Sequence, residues 1–112
     1  PDSVLKYFCR YIESDKAFCA HRVAANEGAA VGLALGHYLA RATLPLVYMQ
    51  NSGLGNAVNP LMSMVHKDVC GVPMLLLIGW RGQPGKHDEP QHLPQGAATI
   101  ALLESMAVPF AV

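Results

Sequence analysis

One acidic side chain, Glu27, stands where it could take part in proton transfer. It lies in the run Ala25-Asn26-Glu27-Gly28, between a predicted strand and a predicted helix rich in Ala and Gly. Its neighbourhood is almost empty of other charges, and an apolar environment favours the protonated form of a carboxyl group. A glutamate that can hold a proton near neutral pH is suited to acid–base catalysis. A purely structural role is also open, because the helix dipole stabilises acidic side chains in the first turn.

Two further segments combine residues that can bind ligands. The run Asn51-Ser52-Gly53-Leu54-Gly55-Asn56 follows a predicted strand and offers backbone amides that a ligand can approach closely. It lacks the third glycine of the dinucleotide fingerprint and the lysine of a P-loop. The second segment, after Ile78, contains His87-Asp88-Glu89-Pro90-Gln91-His92. Because Pro90 would break the helix that a zinc motif needs, we expect no metal site there.

The composition limits the class of protein. A chain of 112 residues is enough for one domain and not for two. Charged residues make up only 14%, so we expect another domain or another chain to cover much of the surface. The formal net charge is zero and the eight Lys and Arg residues are scattered, so no basic stripe indicates binding of nucleic acid or an anionic membrane. Three cysteines without CxxC spacing indicate a reducing compartment, and we expect a cytoplasmic protein with no membrane span.

The elements that would position these segments alternate between helix and strand. Helices are predicted over residues 3–12, 27–40, 57–65 and 96–106, and strands over 18–24, 44–50, 73–78 and 108–112. This order predicts an α/β fold with a mostly parallel sheet. Ligands of such sheets bind at the carboxyl ends of the strands, and all three candidate segments follow a predicted strand. The chain opens on Pro1 and begins at a helix cap, so we expect it to be a fragment.

Several strings in the chain together resemble the thiamine-diphosphate-dependent phosphonopyruvate decarboxylases. They occur in order and with compatible spacing over nearly the whole chain: Pro1-Asp2-Ser3, Asn26-Glu27-Gly28-Ala29-Ala30, Tyr48-Met49-Gln50-Asn51-Ser52-Gly53-Leu54-Gly55-Asn56, Gly79-Trp80-Arg81-Gly82 and Asp88-Glu89-Pro90-Gln91-His92. The third string is shared in kind with the sulfopyruvate decarboxylases. The resemblance implies the pyrimidine-binding domain of these enzymes, a flavodoxin-like three-layer αβα fold, as one truncated domain over residues 1–112.

The resemblance also implies a reaction and a set of site residues. The enzyme would be a lyase that converts 3-phosphonopyruvate to phosphonoacetaldehyde and CO2, with thiamine diphosphate as the electron sink. Glu27 would be the catalytic residue, hydrogen-bonded to a ring nitrogen of the cofactor's aminopyrimidine. The other cofactor contacts would be Ser52, Gly53, Leu54, Gly55 and Asn56, and the substrate contacts Asp2, Ser3, Gln91 and His92.

The resemblance implies partners and leaves alternatives open. Mg2+ would be held by a diphosphate-binding domain that this chain lacks, in the same or a neighbouring subunit of a homo-oligomer. The first alternative is the alpha-type subunit of a sulfopyruvate decarboxylase. The second is a non-catalytic nucleotide- or flavin-binding module that uses Gly53-Leu54-Gly55. The third is an interaction domain without a ligand.

Overall fold

The architecture is a mixed α/β fold, seen in a computed structural model that describes residues 3–14 and 20–112. Its helices and strands are α1 (Lys6–Ile12), α2 (Glu27–Arg41), β1 (Leu46–Gln50), α3 (Leu54–Pro60), β2 (Leu75–Gly79) and α4 (Leu93–Ser105). Short 3₁₀ turns at Asn51–Gly53 and Pro90–His92 precede α3 and α4, and a π-helical turn, Leu61–Val65, follows α3. In the described residues no helix is both long and apolar enough to cross a membrane.

The two strands form a parallel pair, in register from Leu46 opposite Leu75 to Gln50 opposite Gly79. Both are continuously apolar for most of their length, as strands covered on both faces usually are. Successive side chains point to opposite faces. On one face of β1, Val47 and Met49 are buried in the main core.

Helices pack against both faces of β1. The core face packs against side chains from α2, α3, the π-helical turn, α4 and the residue after it: Val31, Ala34, Leu54, Ala57, Leu61, Val65, Leu103 and Met106. On the opposite face, Tyr48 meets Phe8 of α1 edge to face, with ring centroids 5.1 Å apart. The layers are therefore helix, sheet and helix, which confirms the α/β fold class with a parallel sheet.

The start of α2 is the most sharply specified boundary in the sequence. Oδ1 of Asn26 accepts a hydrogen bond from the backbone N–H of Ala29 at 2.8 Å. This cap satisfies one of the amides that a helix N-terminus leaves unpaired. Glu27 is consequently the first helical residue, as predicted, and its side chain leaves the helix in the first turn.

Helices α3 and α4 begin three residues earlier than predicted. The run after β1 is a 3₁₀ turn that leads directly into α3 at Leu54, and Gly53 has an ordinary φ of −79°. Pro60 is the last residue of α3 and has no N–H to donate to the carbonyl of Asn56, and the chain continues as the π-helical turn. Pro94 lies in the first turn of α4, where a missing N–H costs nothing, so this helix begins at Leu93.

Two strand predictions are wrong over the part that the structure describes. Residues 20–24 and 108–112 form no strand. The first two residues of the predicted strand 18–24 lie outside the described ranges. A strand needs a hydrogen-bonded neighbour, and Pro109 lacks the N–H that a ladder requires.

Candidate active site at the carboxyl ends of the strands

The side chain of Glu27 lies directly over the backbone of Gly53. A Cβ atom added to Gly53 would stand 2.5 Å from both Cδ and Oε1 of Glu27, closer than real Cβ atoms come to other heavy atoms. Gly53 therefore leaves the space that the carboxyl group occupies. Because the φ of Gly53 suits any residue, the close approach, and not the backbone conformation, requires glycine here.

Asn56 holds the carboxyl group from the other side. Its Nδ2 donates a hydrogen bond to Oε2 of Glu27 at 2.9 Å. Gly28, the next residue of α2, lets the two helices meet, since an added Cβ would lie 2.9 Å from the backbone oxygen of Asn56. The N-terminus of α2 thus packs against the start of α3. Glu27 is half-buried, and within the described residues it forms no ion pair.

The predicted cofactor residues divide into exposed and buried groups. Ser52, Gly55 and Asn56 are exposed, whereas Gly53 is buried beneath the side chain of Glu27. Leu54 is fully buried and its side chain belongs to the core. Any contact that Leu54 makes with a ligand must therefore use its backbone. Because Ser52, Gly55 and Asn56 are exposed, this edge of the domain is open to solvent.

The strand ends are joined by one buried amide. Oδ1 of Asn51 accepts from the backbone N–H of Arg81 at 3.1 Å, and its Nδ2 donates to the carbonyl of Arg81 and to Oγ1 of Thr99, both at 2.9 Å. Only 2% of Asn51 is exposed. Trp80 adds a second attachment, because its indole N–H donates to the carbonyl of Gly96 at 2.9 Å. The loop after β2 is thereby fixed to both β1 and α4.

Arg81 and Asp88 close this loop with a bidentate ion pair. Nε of Arg81 donates to Oδ2 of Asp88 at 2.8 Å, and the terminal guanidinium nitrogen Nη2 donates to Oδ1. The same carboxylate accepts from the backbone N–H groups of Gly82 and Glu89. These donors, with the Arg81 side chain first, hold the pKa of Asp88 well below its ordinary value. Asp88 is therefore a structural anion, and the described residues contain no metal-binding cluster.

We expect Asp88→Asn to lower the resistance to urea near neutral pH, because the loop loses its ion pair. Since the folded-state pKa of Asp88 is depressed, its contribution is present above the unfolded-state value of about 4 and is lost as the pH falls below it. The difference in urea midpoint between wild type and variant should therefore shrink below about pH 4. Glu104→Gln, at an exposed position on α4, is the matched control. A difference in urea midpoint that stays constant down to the lowest pH at which both proteins fold would contradict the assignment of Asp88 as a structural anion.

The predicted substrate residues lie around the same loop. Ser3 accepts a hydrogen bond from Nη1 of Arg81 at 2.8 Å, which ties the start of the described chain to the loop. Gln91 is exposed, and Nδ1 of His92 lies 3.2 Å from Nε2 of Gln50 at the end of β1. Asp2 lies outside the described residues. The structure thus brings Ser3 and His92 to the loop that follows β2.

Several residues of this edge were not predicted as site residues. Asn51 and Arg81 lie within predicted ligand loops, but nothing in their spacing reveals the hydrogen bonds between them. Gln50 is predicted to lie in a strand. Its position as the last residue of that strand is the sequence signal that places it at this edge of the sheet. Two cavities, of about 640 and 1040 Å³, do not include Glu27, although the larger one is lined in part by Trp80, Asp88 and Thr99.

Comparison with known proteins identifies relatives over almost the whole chain. A sequence model described as "Thiamine pyrophosphate enzyme, N-terminal TPP binding domain" matches residues 1–102. A phosphonopyruvate decarboxylase of Streptomyces viridochromogenes is 38% identical over 104 residues, which is 93% of this chain and 25% of the relative. A second phosphonopyruvate decarboxylase, from Streptomyces hygroscopicus, is 38% identical over 99 residues, which is 88% of this chain and 24% of the relative.

A second group of relatives carries a different name. The sulfopyruvate decarboxylase subunit alpha of Methanococcus maripaludis is 34% identical over 110 residues, which is 98% of this chain and 63% of the relative. The chain thus spans about a quarter of the phosphonopyruvate decarboxylases and less than two thirds of this subunit.

Proposed function

The chain belongs to the thiamine pyrophosphate enzymes, as their N-terminal TPP-binding domain, and we propose that it is the pyrimidine-binding part of a 2-oxo acid decarboxylase. The observation that carries the proposal is the placement of Glu27. A half-buried carboxyl group lies over Gly53 and accepts a hydrogen bond from Asn56, at the strand edge where ligands of parallel sheets bind. The names of the relatives, all decarboxylases, supply the reaction class.

The residues present fit a bound aminopyrimidine ring. Glu27 presents carboxyl oxygens that can share a proton with a ring nitrogen, and the Asn56 amide fixes the orientation of that carboxyl. When bound, thiamine diphosphate supplies the thiazolium ring that accepts the electron pair left by departing CO2. The role of Glu27 is to hold and return the proton at the pyrimidine nitrogen. Ser52 and Gly55, both exposed, would line the ring.

The open edge supports a partner domain. Since Ser52, Gly55 and Asn56 are exposed, the site needs cover from another protein surface before water is excluded. We assign this cover, and the Mg2+–diphosphate contacts, to a diphosphate-binding domain in the same or a neighbouring subunit of an oligomer. Residues 1–112 alone should not bind thiamine diphosphate with micromolar affinity in calorimetry. Micromolar binding by this chain alone would contradict the two-domain site.

We propose 3-phosphonopyruvate as the substrate and phosphonoacetaldehyde with CO2 as the products. The 38% identity to two enzymes with the corresponding name favours it. Sulfopyruvate is the second candidate, because the alignment with the sulfopyruvate decarboxylase subunit covers 98% of this chain. Asp2, Ser3, Gln91 and His92 would face the substrate in either case. Competition between the two acids, with each aldehyde product quantified, tests the choice, and preferential turnover of sulfopyruvate would overturn the first assignment.

A further inference from the structure

Gln50 and His92 form a contact at the carboxyl end of β1. Gln50 is the last residue of β1, and His92 ends the 3₁₀ turn before α4. Nε2 of the Gln50 amide lies 3.2 Å from Nδ1 of the imidazole, across 42 positions of sequence. Both side chains are partly buried. The pair bridges the end of the strand that leads to Gly53 and the loop that carries the predicted substrate residues.

Both partners are held by rigid surroundings. The backbone of Gln50 belongs to the sheet, and Asn51, the next residue, is buried and bonded to the loop after β2. The backbone N–H of His92 donates to the carbonyl of Glu89, and the N–H of Glu89 donates to the anchored Asp88 carboxylate. The side chains therefore meet without a large loss of conformational freedom when a ligand arrives.

With the amide nitrogen of Gln50 facing the ring, the contact is compatible with one tautomer of the imidazole. An amide nitrogen can only donate, so Nδ1 of His92 must accept and carries no proton. In the neutral ring the proton then resides on Nε2, which becomes a hydrogen-bond donor. The hydrogen bond at Nδ1 of His92 therefore determines whether Nε2 can donate a hydrogen bond to a ligand.

We propose that Gln50 is a positioning residue that keeps His92 as the Nε2–H tautomer, so that this N–H donates to the tetrahedral acid group of the substrate. The inference rests on the proposed function, since it takes that acid group to be a phosphonate or a sulfonate. It assigns Gln50 a role in binding and none in the proton transfer at Glu27.

The tautomer is tested directly by nitrogen NMR on the full chain, with ¹⁵N in the histidine rings. We expect the neutral His92 ring to carry its proton on Nε2 in the wild type and to populate both tautomers in Gln50→Met. His37, whose Nε2 lies 2.7 Å from Oγ1 of Thr43, is an internal control that should not change. A wild-type ring protonated on Nδ1, or a Gln50→Met ring that keeps the single Nε2–H form, would overturn the proposal.

Kinetics on the assembled enzyme test the role in binding. We expect Gln50→Met to raise KM for the preferred acid, phosphonopyruvate or sulfopyruvate, by about 10-fold with kcat nearly unchanged, as expected when one hydrogen bond to a charged group is weakened. Gln50→Glu should not restore the KM, because a carboxylate favours a proton on Nδ1. An unchanged KM in Gln50→Met would overturn the binding role.

The two hypotheses fail in different ways. If the proposed function is wrong, the wild type will not decarboxylate either acid, while the NMR result stands by itself. If only the further inference is wrong, wild-type turnover and its dependence on Glu27 persist, and the Gln50 variants show neither the tautomer change nor the KM change.

Discussion

In the assembled enzyme, Glu27→Gln should lower the turnover of the proposed decarboxylation by about 100-fold or more, the usual contribution of a positioned acid–base group. The amide has the shape of the carboxylic acid but cannot hold and return a proton. The fold should persist, because an amide oxygen at this position can still accept a hydrogen bond from Asn56. The change in unfolding free energy should stay within about 1 kcal/mol, the size of the helix-dipole term.

The measurement for Glu27→Gln is kcat at saturating thiamine diphosphate and substrate, with thermal unfolding followed in parallel. Glu104→Gln removes a carboxylate from an exposed position of α4 and should leave both quantities unchanged. Near-normal turnover in Glu27→Gln would show that the carboxyl group has no role in proton transfer.

Gly53→Ala should impair both stability and turnover, through the position of Glu27. The added methyl group would stand 2.5 Å from Cδ and Oε1 of that side chain, so the carboxyl group must move. Overpacking of this kind costs about 1–3 kcal/mol. A displacement of about 1 Å at a catalytic group can cost about 100-fold in rate. Urea unfolding and kcat measure the two effects separately.

A double-mutant cycle with Glu27→Ala isolates the contact. Once the longer side chain is removed, the methyl group on residue 53 has space, so Gly53→Ala should cost less than about 0.5 kcal/mol in that background. Gly36→Ala is the control within α2, because nothing lies within 4 Å of an added Cβ there. It should preserve turnover and stabilise the fold by up to about 1 kcal/mol. If the losses of unfolding free energy in the two single variants simply add in the double variant, the contact between residue 53 and Glu27 would be contradicted.

The local features of the fold were predictable because they depend on neighbouring residues. Asn26 caps α2 through a hydrogen bond to Ala29, so the position of Glu27 in the first turn could be read from four consecutive residues. The apolar runs of β1 and β2 were equally clear. The two flanking strands were predicted wrongly, because a strand depends on a neighbour elsewhere in the chain. The early starts of α3 and α4 were missed because Gly55 and Pro94 were assigned to loops, although helices tolerate them near their first turn.

The contacts that define the candidate site connect distant residues. Gln50 meets His92 across 42 positions, and Asn51 meets Arg81 across 30. Helical and strand periodicity carry information over only a few residues, so neither pair could be derived from spacing. The predicted parallel sheet indicates the loops that meet at this edge, but the reason for glycine at position 53 is visible only in its contact with Glu27.

The most direct test concerns the proton transfer that we propose for Glu27, measured before any substrate binds. Exchange of the C2 proton of bound thiamine diphosphate with deuterium can be followed by NMR in the assembled enzyme, wild type and Glu27→Gln. We predict that the variant still binds the cofactor but exchanges this proton at least about 100-fold more slowly. Equal exchange rates in the two proteins, with the cofactor bound in both, would contradict the central role assigned to Glu27.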